Sequence, residues 1–165
     1  MAPRKMLMSS KDYTASLPKK RMGAGCLFFD AQGNILLVKP TYKPGWEIPG
    51  GVVELNESPG ECCQREVYEE LGLQRKVTDL LVVDYSHKTD DLTESLMFIF
   101  NGGLLSASEI ENIQLPQQEL SEFRFFAAQS LPPEISSPLR KRILIAYEQA
   151  TTGKGVYVED KTKTD

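Results

Sequence analysis

The feature that most constrains the fold is the segment GVVELNESPGECCQREVYEELGL in the first half of the chain. The middle of this segment carries the signals of a helix start. Ser58 is a good N-cap, Pro59 suits the first helical position, and Glu61, three residues after the cap, completes a capping box. Gly72 suits the left-handed position that ends a helix. The segment therefore predicts a helix over residues 59–71.

The predicted helix has one acidic face and one apolar stripe. Glu66, Glu69 and Glu70 stand at i, i+3 and i+4, so their carboxylates share one side of the helix. An apolar stripe lies beside that face and is formed by Cys63, Val67 and Leu71. Because a stripe of this kind is buried in most helices, we expect it to anchor the helix on a sheet.

Three carboxylates on one helix face repel one another, and a cation relieves that repulsion. Carboxylate oxygens select the hard ions Mg²⁺ or Mn²⁺, and no set of His and Cys with zinc spacing competes with them. Magnesium commonly shares its coordination shell with substrate phosphates. The cluster therefore indicates phosphoanhydride chemistry, whereas three glutamates without further signals are more often a solvated acidic face.

Further positions around these glutamates fix the interpretation. The segment resembles the Nudix box, G-x5-E-x7-R-E-U-x-E-E-x-G-U with U aliphatic, and every specified position is matched. The matching residues are Gly51, Glu57, Arg65, Glu66, Val67, Glu69, Glu70, Gly72 and Leu73. The preceding WEIPGG, residues 46–51, resembles the W-x-x-PGG that commonly precedes this box.

The resemblance implies a fold and a reaction. The fold is α/β, the Nudix-type α/β/α sandwich with a mixed central sheet. The reaction is Mg²⁺-dependent hydrolysis (Mn²⁺ being the other candidate) of the pyrophosphate linkage in a nucleoside diphosphate derivative, by attack of water on phosphorus. The general base stays open, because family members take it either from the box helix or from a later loop.

The resemblance also implies a set of site residues. The catalytic candidates are Glu57, Arg65, Glu66, Glu69 and Glu70. The metal candidates are the carbonyl of Gly51 and the side chains of Glu66, Glu69, Glu70 and Glu122. The substrate-binding candidates are Tyr42, Trp46 and Glu119. Arg65 and Glu57 are also expected to pair with each other and hold the preceding loop against the helix.

Several of these assignments have plainer alternatives. Glu119 and Glu122 are also candidates for the base, and each is otherwise an exposed carboxylate at a strand end. Trp46 and Tyr42 either stack on a base or pack in the core, and packing is favoured for Phe126. His87 lies in a polar loop, where a solvated histidine is the ordinary expectation.

The substrate stays open at this stage. No proline occurs between Pro59 and Pro116, where ADP-ribose pyrophosphatases often have one after the box, and Tyr85 is too close to Gly72 for the dinucleoside polyphosphate mark. A MutT-like nucleotide pyrophosphohydrolase is therefore the default. The alternatives are an ADP-ribose or nucleotide-sugar pyrophosphatase, an RNA 5′-end pyrophosphohydrolase, and a nucleotide-binding module without catalysis.

Composition sets the remaining limits. The chain has 165 residues, 41% of them apolar and 25% charged, which suits one soluble domain. A net charge of −4 argues against a general nucleic-acid surface. No apolar run reaches spanning length, and the odd count of three cysteines makes a disulfide framework improbable. We expect a cytoplasmic protein with a small-molecule partner; the oligomeric state, a homodimer included, stays open.

The order of elements predicts one domain between two tails. Residues 1–20 are a flexible basic tail that ends in an edge strand, residues 21–150 are the Nudix domain, and residues 151–165 are a loosely ordered tail. Within the domain, AGCLFFD and NILLVKP form a hairpin. The remaining predicted elements are strands over 78–85, 96–100 and 122–126, and a last helix capped at Ser137 and ended by Gly153.

Overall fold

The computed structural model describes residues 9–77 and 79–159, which form a mixed seven-stranded sheet flanked by helices. The strands are β1 Arg21–Phe29, β2 Ile35–Pro40, β3 Gly50–Val52, β4 Leu80–Ser86, β5 Ser95–Leu104, β6 Leu120–Phe126 and β7 Val156–Glu159. The helices are α1 Ser10–Ser16, α2 Pro59–Leu71, α3 Ala107–Glu111 and α4 Ser137–Thr152, with a 3₁₀ turn at Ala128–Ser130.

The sheet runs in the order β6-β2-β1-β5-β4-β7, and its pairs are of both kinds. β1 pairs with β5 and β4 pairs with β7 in parallel, and the other pairs are antiparallel. The predicted hairpin of β1 and β2 is confirmed, with Phe29 opposite Ile35. β3 pairs with the first half of β1, where Ala24 faces Gly51. The loop that leads into α2 is thereby tied to the centre of the sheet.

Two apolar layers, one on each face, hold the helices to the sheet. α2 covers one face, where the predicted stripe of Cys63, Val67 and Leu71 has no exposed surface. α4 covers the other face through Leu139, Ile143 and Ala146, all buried. The predicted α/β/α sandwich with a mixed sheet is confirmed.

The ends of α2 are confirmed as well. The Glu61 N–H donates to the Ser58 hydroxyl at 3.3 Å, and the Ser58 N–H donates to the Glu61 carboxylate at 2.8 Å, so the capping box is formed. Gly72 ends the helix with φ of 72°. Both ends follow from signals within a few residues of the boundary.

The tails differ from expectation where the structure describes them. Residues 10–16, expected to be flexible, form α1, and residues 9–20 contain no edge strand, since β1 begins at Arg21 and lies inside the sheet. Residues 156–159, expected to be loosely ordered, form β7 against β4. α4 ends at Gly153 as predicted, but its N-cap position is Ser136 and not Ser137. The tail predictions for residues 1–8 and 160–165 lie outside the described residues.

Two further expectations concern cysteines and hydrophobic spans. Cys26, Cys62 and Cys63 are all free and buried, so they form no disulfide framework. Within residues 9–77 and 79–159, no helix combines the length and the apolar character needed to cross a bilayer.

Candidate active site

A cleft of about 310 Å³ lies between the sheet and the start of α4. Its floor is formed by the first half of β1 and by β5, and its border by β3 and the residues before it. Gly50 and Gly51 line this border, and the acidic face of α2 touches both of them. The cleft and the predicted glutamate cluster therefore meet at the paired glycines.

Glu70 is the innermost member of the cluster. The N–H of Gly50 donates to its carboxylate at 3.0 Å. Burial raises the pKa of Glu70 to about 8, the Gly50 N–H opposes that shift, and the nearby charges of Glu66, Glu119 and Glu47 add to it. A partly buried carboxyl surrounded by other carboxylates is an electrostatic arrangement that a bound cation would relieve.

Glu66 lies against the backbone of β3. A Cβ atom at position 51 would stand only 2.1 Å from Glu66 Oε1, so this approach requires glycine. Burial raises the pKa of Glu66, and Arg65 opposes that shift. The geometry explains in physical terms why a glycine begins the box and a glutamate of α2 faces it.

Arg65 links the loop before α2 to the helix itself. Its guanidinium donates to both carboxylate oxygens of Glu57 at 2.8 and 3.1 Å and to the Val52 carbonyl at 3.3 Å. It also donates to Glu66 at 2.8 Å and to Glu69 at 3.0 Å. The hydrogen bonds from Arg65 and from the Glu54 N–H lower the pKa of Glu57 to about 2. Arg65 and Glu57 are thus paired as expected.

Of the three glutamates expected to converge, Glu69 is the one whose position differs most from that expectation. Its carboxylate turns to Arg65, and its side chain is 53% exposed. Within the described residues, no group of three His, Cys, Asp or Glu side chains stands ready to hold a metal ion. The charged groups that act on Glu70 are nevertheless all carboxylates, namely those of Glu66, Glu119 and Glu47. That set fits a hard divalent cation and not zinc or copper.

Glu119 and Glu122, the two acidic candidates that follow the box, lie in different surroundings. Glu119 lies near enough to Glu70 for its charge to raise the pKa of that carboxyl. Glu122 instead bonds to Lys39 at 3.3 Å and to Arg124 at 2.7 Å, and its pKa is lowered, mainly by Arg124. The structure thus brings Glu119, and not Glu122, towards the candidate metal position.

Trp46 and Tyr42, the two aromatic candidates for substrate binding, also differ in their surroundings. Trp46, a candidate for base stacking, is only 6% exposed and packs edge-on against Phe126 at 5.0 Å between ring centroids, so it belongs to the core. Tyr42 is 73% exposed and lines the cleft. His87 lies at the end of β4, where Nε2 is 3.1 Å from a Glu159 carboxylate oxygen and away from the cleft.

Sequence reasoning missed Glu47 and the cleft residues beyond the box. Glu47 follows Trp46 and precedes Ile48, and both of those point into the core. Since side chains alternate along an extended segment, this pattern could have placed Glu47 on the opposite side, with the box glutamates. Arg21 and Arg142 also line the cleft, but no local pattern around either residue indicates that position.

The family model described as the NUDIX domain matches residues 19–147, which is most of the chain. The protein therefore belongs to the Nudix family.

Several curated proteins are similar over part of their length. Diphosphoinositol polyphosphate phosphohydrolase 2 of Rattus norvegicus is 40% identical over 76 residues, which is 43% of this chain and 42% of that protein. An RNA pyrophosphohydrolase of Gluconacetobacter diazotrophicus is 38% identical over 72 residues, 38% of this chain and 42% of that protein. The chain is thus matched over less than half the length of these relatives.

Solved structures share the fold. A MutT NUDIX hydrolase from Burkholderia pseudomallei has a TM-score of 0.63 with 26% identity, over 80% of this chain and 98% of that chain. A UDP-X diphosphatase has a TM-score of 0.70 with 23% identity, over 92% of this chain and 75% of that chain. The second likeness concerns the fold alone.

Proposed function

We propose that this protein is a Nudix hydrolase that uses Mg²⁺ to cleave the pyrophosphate linkage of a nucleoside diphosphate derivative. The supporting observation is the partly buried Glu70 carboxyl, which sits beside the Gly50 N–H and among the charges of Glu66, Glu119 and Glu47. Such an arrangement disfavours the ionised carboxylate unless a cation completes it. The cleft next to it offers space for the substrate.

Glu66, Glu70 and the Gly51 carbonyl would hold the cation, with Glu69 joining them after its carboxylate leaves Arg65. When bound, a divalent ion neutralises phosphate oxygens and lowers the pKa of an attacking water. The chain itself supplies the alignment of these groups. Arg65 and Glu57 fix the loop on the helix, and the Gly50 N–H orients the Glu70 carboxylate. Glu70 and Glu119 remain the candidates for the base.

The charge of the cleft favours a nucleoside over a polyphosphorylated group. Lys43 is neutralised by Glu47 at 2.9 Å, and Arg142 by the buried Asp84 at 2.5 Å. Arg21 is therefore the cleft cation without a carboxylate partner among the described ion pairs. The remaining walls are largely apolar, formed by Met22, Ile48, Val52, Met97, Phe98, Ile99 and Leu139. Such walls suit a flat, uncharged base, with Tyr42 at the rim.

A substrate screen tests this proposal. Nucleoside triphosphates, oxidised nucleoside triphosphates, dinucleotides, ADP-ribose, nucleotide sugars and a diphosphoinositol polyphosphate are incubated with the protein and Mg²⁺, and the products are separated. We expect cleavage of a nucleoside diphosphate derivative, with the heavy isotope from ¹⁸O-labelled water entering a phosphate product. Cleavage of the inositol compound alone would contradict the nucleoside assignment but not the hydrolase assignment.

Variants separate catalysis from binding. Because Glu70→Gln keeps an oxygen that accepts from Gly50 but loses the charge, we expect turnover to fall at least about 100-fold, and Glu69→Gln to follow in the same direction. Glu148→Gln, an exposed change on α4, is the matched control and should retain full activity. Full turnover by both site variants would contradict the proposal. Tight nucleotide binding with the ligand recovered uncleaved would favour a binding module.

A further inference from the structure

β6 forms one edge of the sheet and leaves its outer side open. Within residues 9–77 and 79–159, the backbone of this strand pairs only with β2. The strand LSEFRFF spans seven residues without a proline or lysine, two common devices against edge pairing. An exposed edge of this length offers a template for another strand.

The hydrogen bonds of β2 show which groups of β6 point outwards. Val38 uses both its N–H and its C=O to bond Glu47, at 2.9 Å each, on the side of β2 away from β6. Val38 and its partner Phe123 are therefore a non-hydrogen-bonded pair of the antiparallel ladder. It follows that the N–H and C=O of Phe123 face the open side, and by alternation those of Phe125 do too.

Charge selects one register for pairing this edge with itself. When two antiparallel copies are centred on Phe123, Glu122 of each copy stands opposite Arg124 of the other. Arg124 and Glu122 already pair within each chain at 2.7 Å, and their side chains are 62% and 31% exposed, so the four side chains of two copies can join in one ion-pair network. Centring on Arg124 would instead place two arginines opposite each other, which is unfavourable. Of the registers centred on Glu122, Phe123 or Arg124, only the one centred on Phe123 places opposite charges together.

We propose that β6 pairs with β6 of a second copy to form a dimer with two-fold symmetry. Phe123 of each copy exchanges both backbone hydrogen bonds with Phe123 of the other, and Phe125 faces Ser121. Glu122 and Arg124 form two cross-strand ion pairs, in the closer, non-hydrogen-bonded positions. Because both copies use the same surface, the assembly closes at two chains.

Charge reversal tests this dimer in the full chain. Arg124→Glu leaves only acidic side chains at the contact and Glu122→Arg leaves only basic ones. Sedimentation should therefore show that each variant raises the dimer dissociation constant at least about tenfold. Mixing the two variants restores opposite charges, and native mass spectrometry should find the mixed dimer in excess over either homodimer.

Glu148→Arg is the matched control, an exposed charge reversal on α4 that should leave the dissociation constant unchanged. Circular dichroism of each variant checks that the sheet is intact. A wild-type chain that sediments as a monomer at its highest soluble concentration would overturn the proposal. So would an Arg124→Glu dimer as tight as the Glu148→Arg dimer, or a mixture without the mixed species.

Discussion

The Glu70 carboxyl is partly buried and lies among other carboxylates, and this makes the stability of the protein depend on pH. Its pKa rises from the ordinary value of 4.5 to about 8 on folding, chiefly because it loses water. The folded protein therefore binds this proton more tightly than the unfolded chain does. The resulting stability is complete below about pH 4.5 and is lost as the pH rises to about 8.

Glu70→Gln removes this dependence, because the amide stays neutral. In metal-free buffer we expect the variant to be more stable than wild type, by an amount that grows from about pH 5 to pH 8 and reaches a few kcal/mol, on the order of the shift in pKa. Urea unfolding in a chelator at several pH values measures the difference. A difference that does not change with pH would refute this assignment, and Glu148→Gln serves as the control.

Single residues also show where sequence information ends. The identities of Glu66 and Glu70 follow from the box, but the turn of Glu69 towards Arg65 does not, because the motif fixes position and not rotamer. Glu47 and Glu119 reach Glu70 from segments far apart in the chain. Their approach depends on how the strands pair, which spacing within one segment does not reveal.

The contact between β3 and α2 makes a prediction at the scale of elements. In Gly51→Ala the new methyl group would overlap Glu66 Oε1, so the carboxylate must move. We expect turnover to fall about 100-fold, since displacement of a site group by about 1 Å can have that effect. Gly60→Ala, within α2, is the control, because a Cβ there meets nothing within 4 Å. Kinetics on the best substrate from the screen decide the matter, and equal turnover of the two variants would count against the contact.

Arg65 makes a second prediction at this scale, because it joins the loop to α2. Arg65→Lys keeps the charge but cannot donate to Glu57, Glu66 and the Val52 carbonyl together. We expect urea unfolding to show a loss of about 1–3 kcal/mol, typical for hydrogen bonds to charged groups. Glu148→Gln, an exposed change on α4, should lose less than about 0.5 kcal/mol. Similar losses in both would show that Arg65 does not join these elements.

A helix or strand could be predicted from the sequence when the residues that determine it lie within or beside it. α2 was predictable to the residue because Ser58, Glu61 and Gly72 determine its ends locally. β3 and β7 were not recognised, since Gly50–Val52 contains two glycines and Val156–Glu159 has only four residues. Each is a strand because a neighbouring strand offers it hydrogen bonds, and that is a property of the sheet and not of the segment.

For the whole molecule, Mg²⁺ should act as a stabiliser. An ion that binds only the folded protein raises the free energy of unfolding by about 2.7 kcal/mol at a concentration 100 times its dissociation constant. We therefore expect the thermal midpoint of wild type to rise by several degrees. Glu70→Gln should respond much less, and sodium chloride at equal ionic strength controls for screening. Equal shifts in both proteins would argue against a site at Glu70.

The architecture of the whole molecule was predictable, because several apolar strands and two amphipathic helices leave few ways to cover both faces of a sheet. The cleft was not. It arises where α4 approaches β1 and β5, and its lining combines residues as distant as Arg21 and Arg142.

The three buried cysteines make the opening of α2 measurable. Cys63 lies on the buried face of α2 and Cys26 on β1 beneath it, both without exposed surface, and burial raises the pKa of the adjacent Cys62 to about 12. A thiol reagent in solution reacts with thiolates that it can reach. The rate of alkylation therefore records how often the helix that bears the glutamates lifts from the sheet, without any added label.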